Sequence, residues 1–316
     1  MALTTTVGSG AQSASRSVRE QLIEGKADVK GILFKLLLLA SLGVSIAVLV
    51  ALFFDVGTTG ASVFTTRAES FLSGGLRTKA ASAGVFQAVR GTFWIGIFVV
   101  VLAFPIGISS AIYLEEYASK GRLTRFVDIN IRNLAGVPSI VYGILGLTIF
   151  VQRLSGLTGG RSVIAAGITL AILVLPIVII TSAEAIRAVP GALREAGYAV
   201  GATRWEVTRT QVLPYALPGV ITGTVLALAR AIGEAAPLLL CGAVTGLLPG
   251  KDGLLDVSQL NDRFTALPIV IADWARTPRP GFDEIAAAAI IVMLAIVLVM
   301  NTVAVLLRAR FEKRRT

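Results

Sequence analysis

Val163-Ile164-Ala165-Ala166-Gly167-Ile168-Thr169-Leu170-Ala171-Ile172-Leu173-Val174-Leu175-Pro176-Ile177-Val178-Ile179-Ile180-Thr181-Ser182-Ala183 contains no charged residue. A helix needs about 20 mostly apolar residues to cross a bilayer. This stretch meets that length and reads as one span. Five further runs do the same: Gly31–Phe54, Thr92–Leu114, Leu134–Val151, Tyr215–Leu240 and Ile285–Leu307. Lys35 lies near the start of the first, where a long side chain snorkels to the interface. The third is short and rich in Gly and Pro (Gly136, Pro138, Gly143, Gly146), so its ends are the least defined. The fifth carries Arg230 and Glu234 well inside. The alternation expected of a membrane β-barrel is absent. The expected fold is all-α, with six membrane helices over residues 31–308.

Composition agrees. The chain has 316 residues, 55% of them hydrophobic and 15% charged, against about 25% charged in ordinary soluble domains. A soluble globule or a disordered chain is excluded on that ground. Cys241 is the single cysteine, so no disulfide forms within the chain. With no histidine, neither a His general base nor a His-ligated zinc site is available. No catalytic or metal-binding residue is expected. Gly246–Lys251 has a Gly and a Gly-Lys, but Asp252 follows, the spacing is one short and no helix follows. It is not a nucleotide-binding loop.

Charge sets the orientation. Eighteen of the 29 Lys and Arg residues fall on the side holding both termini and the loops after spans two and four. Ten fall on the other side, and Arg230 is in a span. Positive residues concentrate on the cytoplasmic side, so both termini are expected there. The basic tail 309–316 after the last span reads as a stop-transfer signal rather than a nucleic-acid patch. Residues 1–30 do not read as a signal peptide, because the apolar run starts too late and no small-residue cleavage site follows. This Ser-, Thr-, Ala- and Gly-rich tail is expected to be largely disordered, with a short surface helix over Ser17–Lys30.

The cytoplasmic loop 190–214 is amphipathic. Leu193, Ala196, Val200 and Val207 recur at helical spacing between charged residues. Gly201 interrupts and Pro214 ends the pattern, which predicts two short helices joined at a bend. Such a loop either rests in the headgroups or docks a soluble partner. The external loop 245–284 holds an apolar stretch, Phe264–Ile271, and Trp274. A short helix is expected there, touching the membrane edge or an external protein, with Trp274 as an alternative interfacial anchor.

Charge at membrane depth costs between ~3 and ~15 kcal/mol, so Arg230 and Glu234 must be paired or functional. Four residues apart on one helix, they share a face. They either neutralise each other or make an anion path. A guanidinium offers paired donors that match two oxyanion oxygens. Glu234 would then hold Arg230 and weaken the site enough for release. Gly233 and Pro237 are expected to bend or loosen the helix there. Ser139 and Tyr142 either add neutral donors to the same cavity or pack against neighbouring helices.

Glu195-Ala196-Gly197, then Gly201, then Leu213-Pro214 resembles the EAA motif of ABC importer permeases. That pattern reads EAA, three residues, Gly, nine residues, Ile, one residue, Leu-Pro. Gly197 replaces the second Ala and Gln211 replaces the Ile. Arg230-Ala231-Ile232-Gly233-Glu234-Ala235-Ala236-Pro237-Leu238-Leu239 resembles the ARxxGExxPLL signature of the phosphate-specific branch. Gly136–Gly143, Pro105–Tyr117 and Phe264–Ala275 resemble that branch too, and the Ala-Pro-Leu-Leu ending favours its A-type over its C-type subunit. Relatives carry an Arg where this chain has Ile180, so a two-Arg site within one chain is in doubt.

The resemblance implies the type I ABC importer permease fold and a transport subunit rather than an enzyme. Phosphate would pass along a path bearing Arg230, Glu234, Ser139 and Tyr142. Glu195, Ala196, Gly201, Arg204, Leu213 and Pro214 would couple it to an ATPase. It implies a paralogous C-type permease, two ATPase subunits and an external phosphate-binding protein as partners, in the bacterial plasma membrane. No cofactor is implied in this chain, since ATP and Mg would sit on the ATPase. Permeases for molybdate or sulfate, a gradient-driven anion transporter and a membrane sensor remain alternatives.

Overall fold

A computed structural model describes residues 29–246, 253–257 and 260–312. The N-terminal tail through residue 28, the Gly-Lys stretch from 247 to 252 and residues 313–316 of the basic tail lie outside the described residues. Helix α1 covers Val29–Ser73 and passes from one compact unit, ending at Asp55, into a second that holds the rest of the chain.

The described part of the first unit, residues 29–55, is one apolar helix with largely exposed side chains. The expected first span, Gly31–Phe54, is its greater part, but helix continues past it to Ser73. The continuation belongs to the second unit and buries Gly60, Val63 and Phe71. It breaks locally at Arg67 (φ −153°, ψ 37°), whose guanidinium donates to the carbonyls of Ala83 (2.8 Å) and Ala80 (2.6 Å).

Within the second unit follow α2 (Phe86–Tyr117), α3 (Arg122–Ala135), α4 (Ser139–Arg153), α5 (Val163–Arg187), α6 (Gly191–Ala199), α7 (Arg204–Gly233), α8 (Ala236–Leu240), α9 (Leu267–Trp274) and α10 (Phe282–Glu312). Among the described residues five helices are long and apolar enough to cross a membrane, six if the bent pair α3–α4 is one span. Helix α5 is the centre: α2, α7 and α4 pack on it, and Leu170, Val174 and Val178 are fully enclosed. Its start is fixed by Ser162, whose hydroxyl accepts from the Ala165 amide at 3.2 Å.

Three expected boundaries are corrected. The helix expected from Leu134 starts instead at Ser139, because Gly136-Val137-Pro138 turns the chain by 96°. The residue before a proline avoids helical backbone, which ends α3 there. Helix α3 is amphipathic, with Leu123, Phe126 and Ile129 exposed opposite a charged row that pairs Arg132 with Asp128 at 3.1 Å. That composition suits a helix lying in an interface.

The fifth span is not one helix from Tyr215 to Leu240. Helix α7 ends at Gly233, Glu234 is extended (φ −80°, ψ 115°), and α8 restarts with Pro237 in its first turn. The pair Arg230 and Glu234 therefore straddles a helix end rather than sharing a continuous face. Pro214, in turn, does not end the loop helix. Helix α7 runs from Arg204 through a π-helical turn at Thr208–Val212 straight into the membrane segment. Pro214 follows that π-helical turn and lies at the start of the α-helical stretch Leu213–Gly233.

Helix α9 is the short helix expected in the external loop, but it packs within the protein. Leu267, Val270 and Trp274 are buried, Trp274 beside Phe71 (ring centroids 6.4 Å apart). The Leu267 amide donates to Thr92 Oγ1 at 2.9 Å, tying α9 to α2. Trp274 is thus a core residue and not an interfacial anchor.

Candidate functional site

Two regions carry the predicted residues. The first is the break after α7. Arg230, in the last turn of α7, lies with its Nε 3.5 Å from Glu234 Oε1. The Arg230 side chain is 57% exposed and that of Glu234 20%. Neighbouring Ala227, Ala231 and Ile232 are buried, so Arg230 points away from the core of its own chain.

The break is held from behind. Pro237 and Leu240 of α8 lie on Gly143 of α4, where a Cβ would come within 2.8 Å of each. Gly146, one turn on, meets Thr169 and Cys241 in the same way. The small residues of the third span thus make room for the restarted fifth span, as small residues do at membrane helix contacts.

Ser139 and Tyr142 are placed differently from Arg230. Ser139 opens α4 and is half-buried. Tyr142 is buried, and its hydroxyl donates to the Leu134 carbonyl at 2.9 Å. That bond pins the turn between α3 and α4 and occupies the donor. Ile180 is half-buried on α5.

The second region is α6 with the start of α7. Gly201 has φ +82°, a conformation glycine adopts without strain, and it makes the expected bend. Thr203 then caps α7: its hydroxyl accepts from the Glu206 amide at 3.3 Å, while Glu206 accepts from the Thr203 amide at 2.7 Å. Glu195, Ala196 and Arg204 are exposed, as are the larger apolar side chains Tyr198, Val200 and Trp205. Leu213 is half-buried and Pro214 exposed.

Gly197 explains a departure from the EAA pattern. A Cβ there would lie 2.8 Å from Val207 Cγ2, so the buried Val207 takes the space an alanine would need. The sequence pattern also missed the strongest polar contact here. Arg194 of α6 donates to Glu116 Oε1 from Nη2 (2.7 Å) and Nε (3.2 Å). It also donates to the Val189 carbonyl (2.8 Å) and the Ile186 carbonyl (3.0 Å). The Glu116 side chain is only 4% exposed. An acidic pair preceding Tyr117 was the only signal in the sequence, and it named no partner.

The family model described as "Binding-protein-dependent transport system inner membrane component" matches residues 103–316. The phosphate transport system permease protein PstA 1 of Mycobacterium tuberculosis (strain CDC 1551 / Oshkosh) is 32% identical over 235 residues, 74% of this chain and 73% of that protein. The phosphate transport system permease protein PstC 2 of Mycobacterium bovis is 35% identical, over 49% of this chain and 54% of its own. A solved bacterial alginate ABC transporter, in complex with its alginate-bound periplasmic protein, contains a chain that superposes with TM-score 0.59. It does so at 18% identity, covering 87% of this chain and 94% of that one, which is a likeness of fold. The chain is a multi-pass membrane protein of the type I importer permease fold and belongs to the family of binding-protein-dependent transport system inner membrane components.

Proposed function

We propose that this chain is the A-type permease subunit of an ATP-driven importer of inorganic phosphate. One observation carries the reading: Arg230 lies in the last turn of a helix long and apolar enough to cross a membrane, at a break, facing out of its own chain. Hydrocarbon is a costly place for a guanidinium, so that face belongs against a second permease subunit with a polar path between them. Broken helices at mid-membrane are where transporters place their cargo. The named phosphate permeases among its relatives supply the substrate, and the longer match to the A-type than to the C-type relative supplies the branch.

In this reading Arg230 takes two oxygens of the anion through its planar fork. Glu234 orients the guanidinium and offers it a competing partner, so that bound phosphate leaves. Exposed α6, with Glu195, Ala196, Gly201 and Arg204, docks the ATPase, which holds ATP and Mg. Two such ATPases, a C-type permease and an external phosphate-binding protein complete the machine in the bacterial inner membrane, with both termini of this chain cytoplasmic. ATP binding closes the ATPase pair, the cavity opens outward to accept phosphate, and hydrolysis returns it.

The test is ATP hydrolysis by the co-expressed complex in lipid nanodiscs, with the external receptor loaded with phosphate, sulfate or molybdate. Stimulation by phosphate alone is expected. Stimulation by another oxyanion keeps the machine and changes its cargo. Absence of any co-purifying ATPase would overturn the reading.

A further inference from the structure

The inner end of α2 is a π-helical turn, Tyr113–Tyr117, closed by the Ala118 amide donating to the Tyr113 carbonyl at 2.8 Å. Three consecutive side chains of this turn each meet a cation from a different segment. Glu115 accepts from Arg187 at the end of α5 (Nε to Oε2 3.3 Å, with a second contact from Nη2 to Oε1). Glu116 accepts from Arg194 of α6. The Tyr117 ring lies under Arg204 of α7, whose guanidinium carbon is 5.8 Å from the ring centre. Residues consecutive on a helix fan outward at about 100° each, so one turn can hold three neighbours at once.

The three contacts are unequal. Arg187 is 56% exposed, and solvent screens its pair. The Arg194–Glu116 pair is enclosed, with side chains 22% and 4% exposed. Arg194 also donates to the Ile186 carbonyl in the last turn of α5 and to the Val189 carbonyl just beyond that helix. Helix α6 has little else to hold it: Leu193 is half-buried, Gly197 rests on Val207, and Glu195, Ala196, Tyr198 and Val200 are exposed. It is bounded by Pro190 and by the bend at Gly201, and without Arg194 it would pivot between them.

We propose that the Glu115-Glu116-Tyr117 turn is the joint through which movement of α6 reaches the membrane helices. Glu116 and Arg194 are its positioning residues. They make α6 and the inner ends of α2 and α5 move as one body, so that a push on the docking face displaces spans two and four instead of bending α6. This rests on the reading of α6 as the ATPase dock.

The experiment uses the full complex in proteoliposomes. It measures both ATP hydrolysed and phosphate imported, for Glu116→Gln, Arg194→Met, the double variant and Arg194→Lys. Each of the first two is expected to lower phosphate imported per ATP about tenfold while hydrolysis continues. The double variant is expected to be no worse than Arg194→Met alone, because contacting residues that act together do not add. Arg194→Lys, which keeps the charge but not the fork, falls between. Lost folding would lower import and hydrolysis together and leave their ratio unchanged. An unchanged ratio in any assembled single variant, or effects that multiply in the double variant, would overturn the joint. A wild-type chain that brings down no ATPase would overturn the docking reading, and the joint with it.

Discussion

Arg194–Glu116 and Arg230–Glu234 are the same chemical pair in two settings. The first joins residues 78 apart in the chain, at 2.7 Å, with two backbone carbonyls on the same guanidinium. The second joins residues four apart, at 3.5 Å, across the end of a helix, with the arginine mostly exposed. The enclosed pair leaves its arginine with four of five donors in use and fixes three segments. The open pair leaves donors free, which a ligand needs and a structural clamp does not. Burial and donor occupancy, rather than residue type, separate a strut from a site.

The comparison breaks most plainly at Arg230. Arg230→Ala is expected to reduce phosphate uptake by on the order of 10²-fold or more, from two charged hydrogen bonds lost at about 1.5–3 kcal/mol each. The complex should still assemble, as judged by co-purification of its subunits. Normal uptake would make the open pair a strut as well. Stability should show the reverse order. Glu116→Ala leaves an enclosed guanidinium without its counter-charge and is expected to destabilise the chain by about 3 kcal/mol. Glu234→Ala, beside a mostly exposed arginine, should cost less than ~1 kcal/mol. Thermal unfolding of the two purified variants measures the difference, and equal shifts would erase the distinction. The smallest effect sharpens the joint. Gly201→Ala meets no atom within 4 Å, so only the positive φ is penalised, at about 1 kcal/mol. Its unfolding midpoint should move little while import per ATP falls. An unchanged import ratio would show that the bend geometry is not critical to docking.

Much of this architecture is legible in single residues. Gly201 is the left-handed bend that the interrupted amphipathic pattern demanded. Gly233 and Pro237 flank the break in the fifth span. Other features had no local signal. The turn before Ser139 hides in an apolar stretch, because Leu134 and Val137 score as membrane residues whether or not Pro138 redirects the chain. Trp274 reads equally well as an interfacial anchor or a core residue until Phe71 is placed beside it. Tyr142 reads from sequence as either a donor to the cavity or a packing residue, and only the fold shows its hydroxyl spent on the Leu134 carbonyl.

The sequence by itself determined that the chain is a multi-pass membrane protein and that residues 190–214 form two short helices joined at Gly201. A bilayer demands apolar length, and capping and glycine chemistry act over a few residues. Only the tertiary structure decided which helices are enclosed. Helices α1 and α5 are similarly apolar, yet the apolar stretch of the first has no buried residue and most of that in the second is buried. Lipid is as apolar as leucine, so hydropathy sets insertion and says nothing of partners. Shape and distant charge do that: Gly143 receiving α8, Val207 excluding a methyl at position 197, and Glu116 waiting for Arg194.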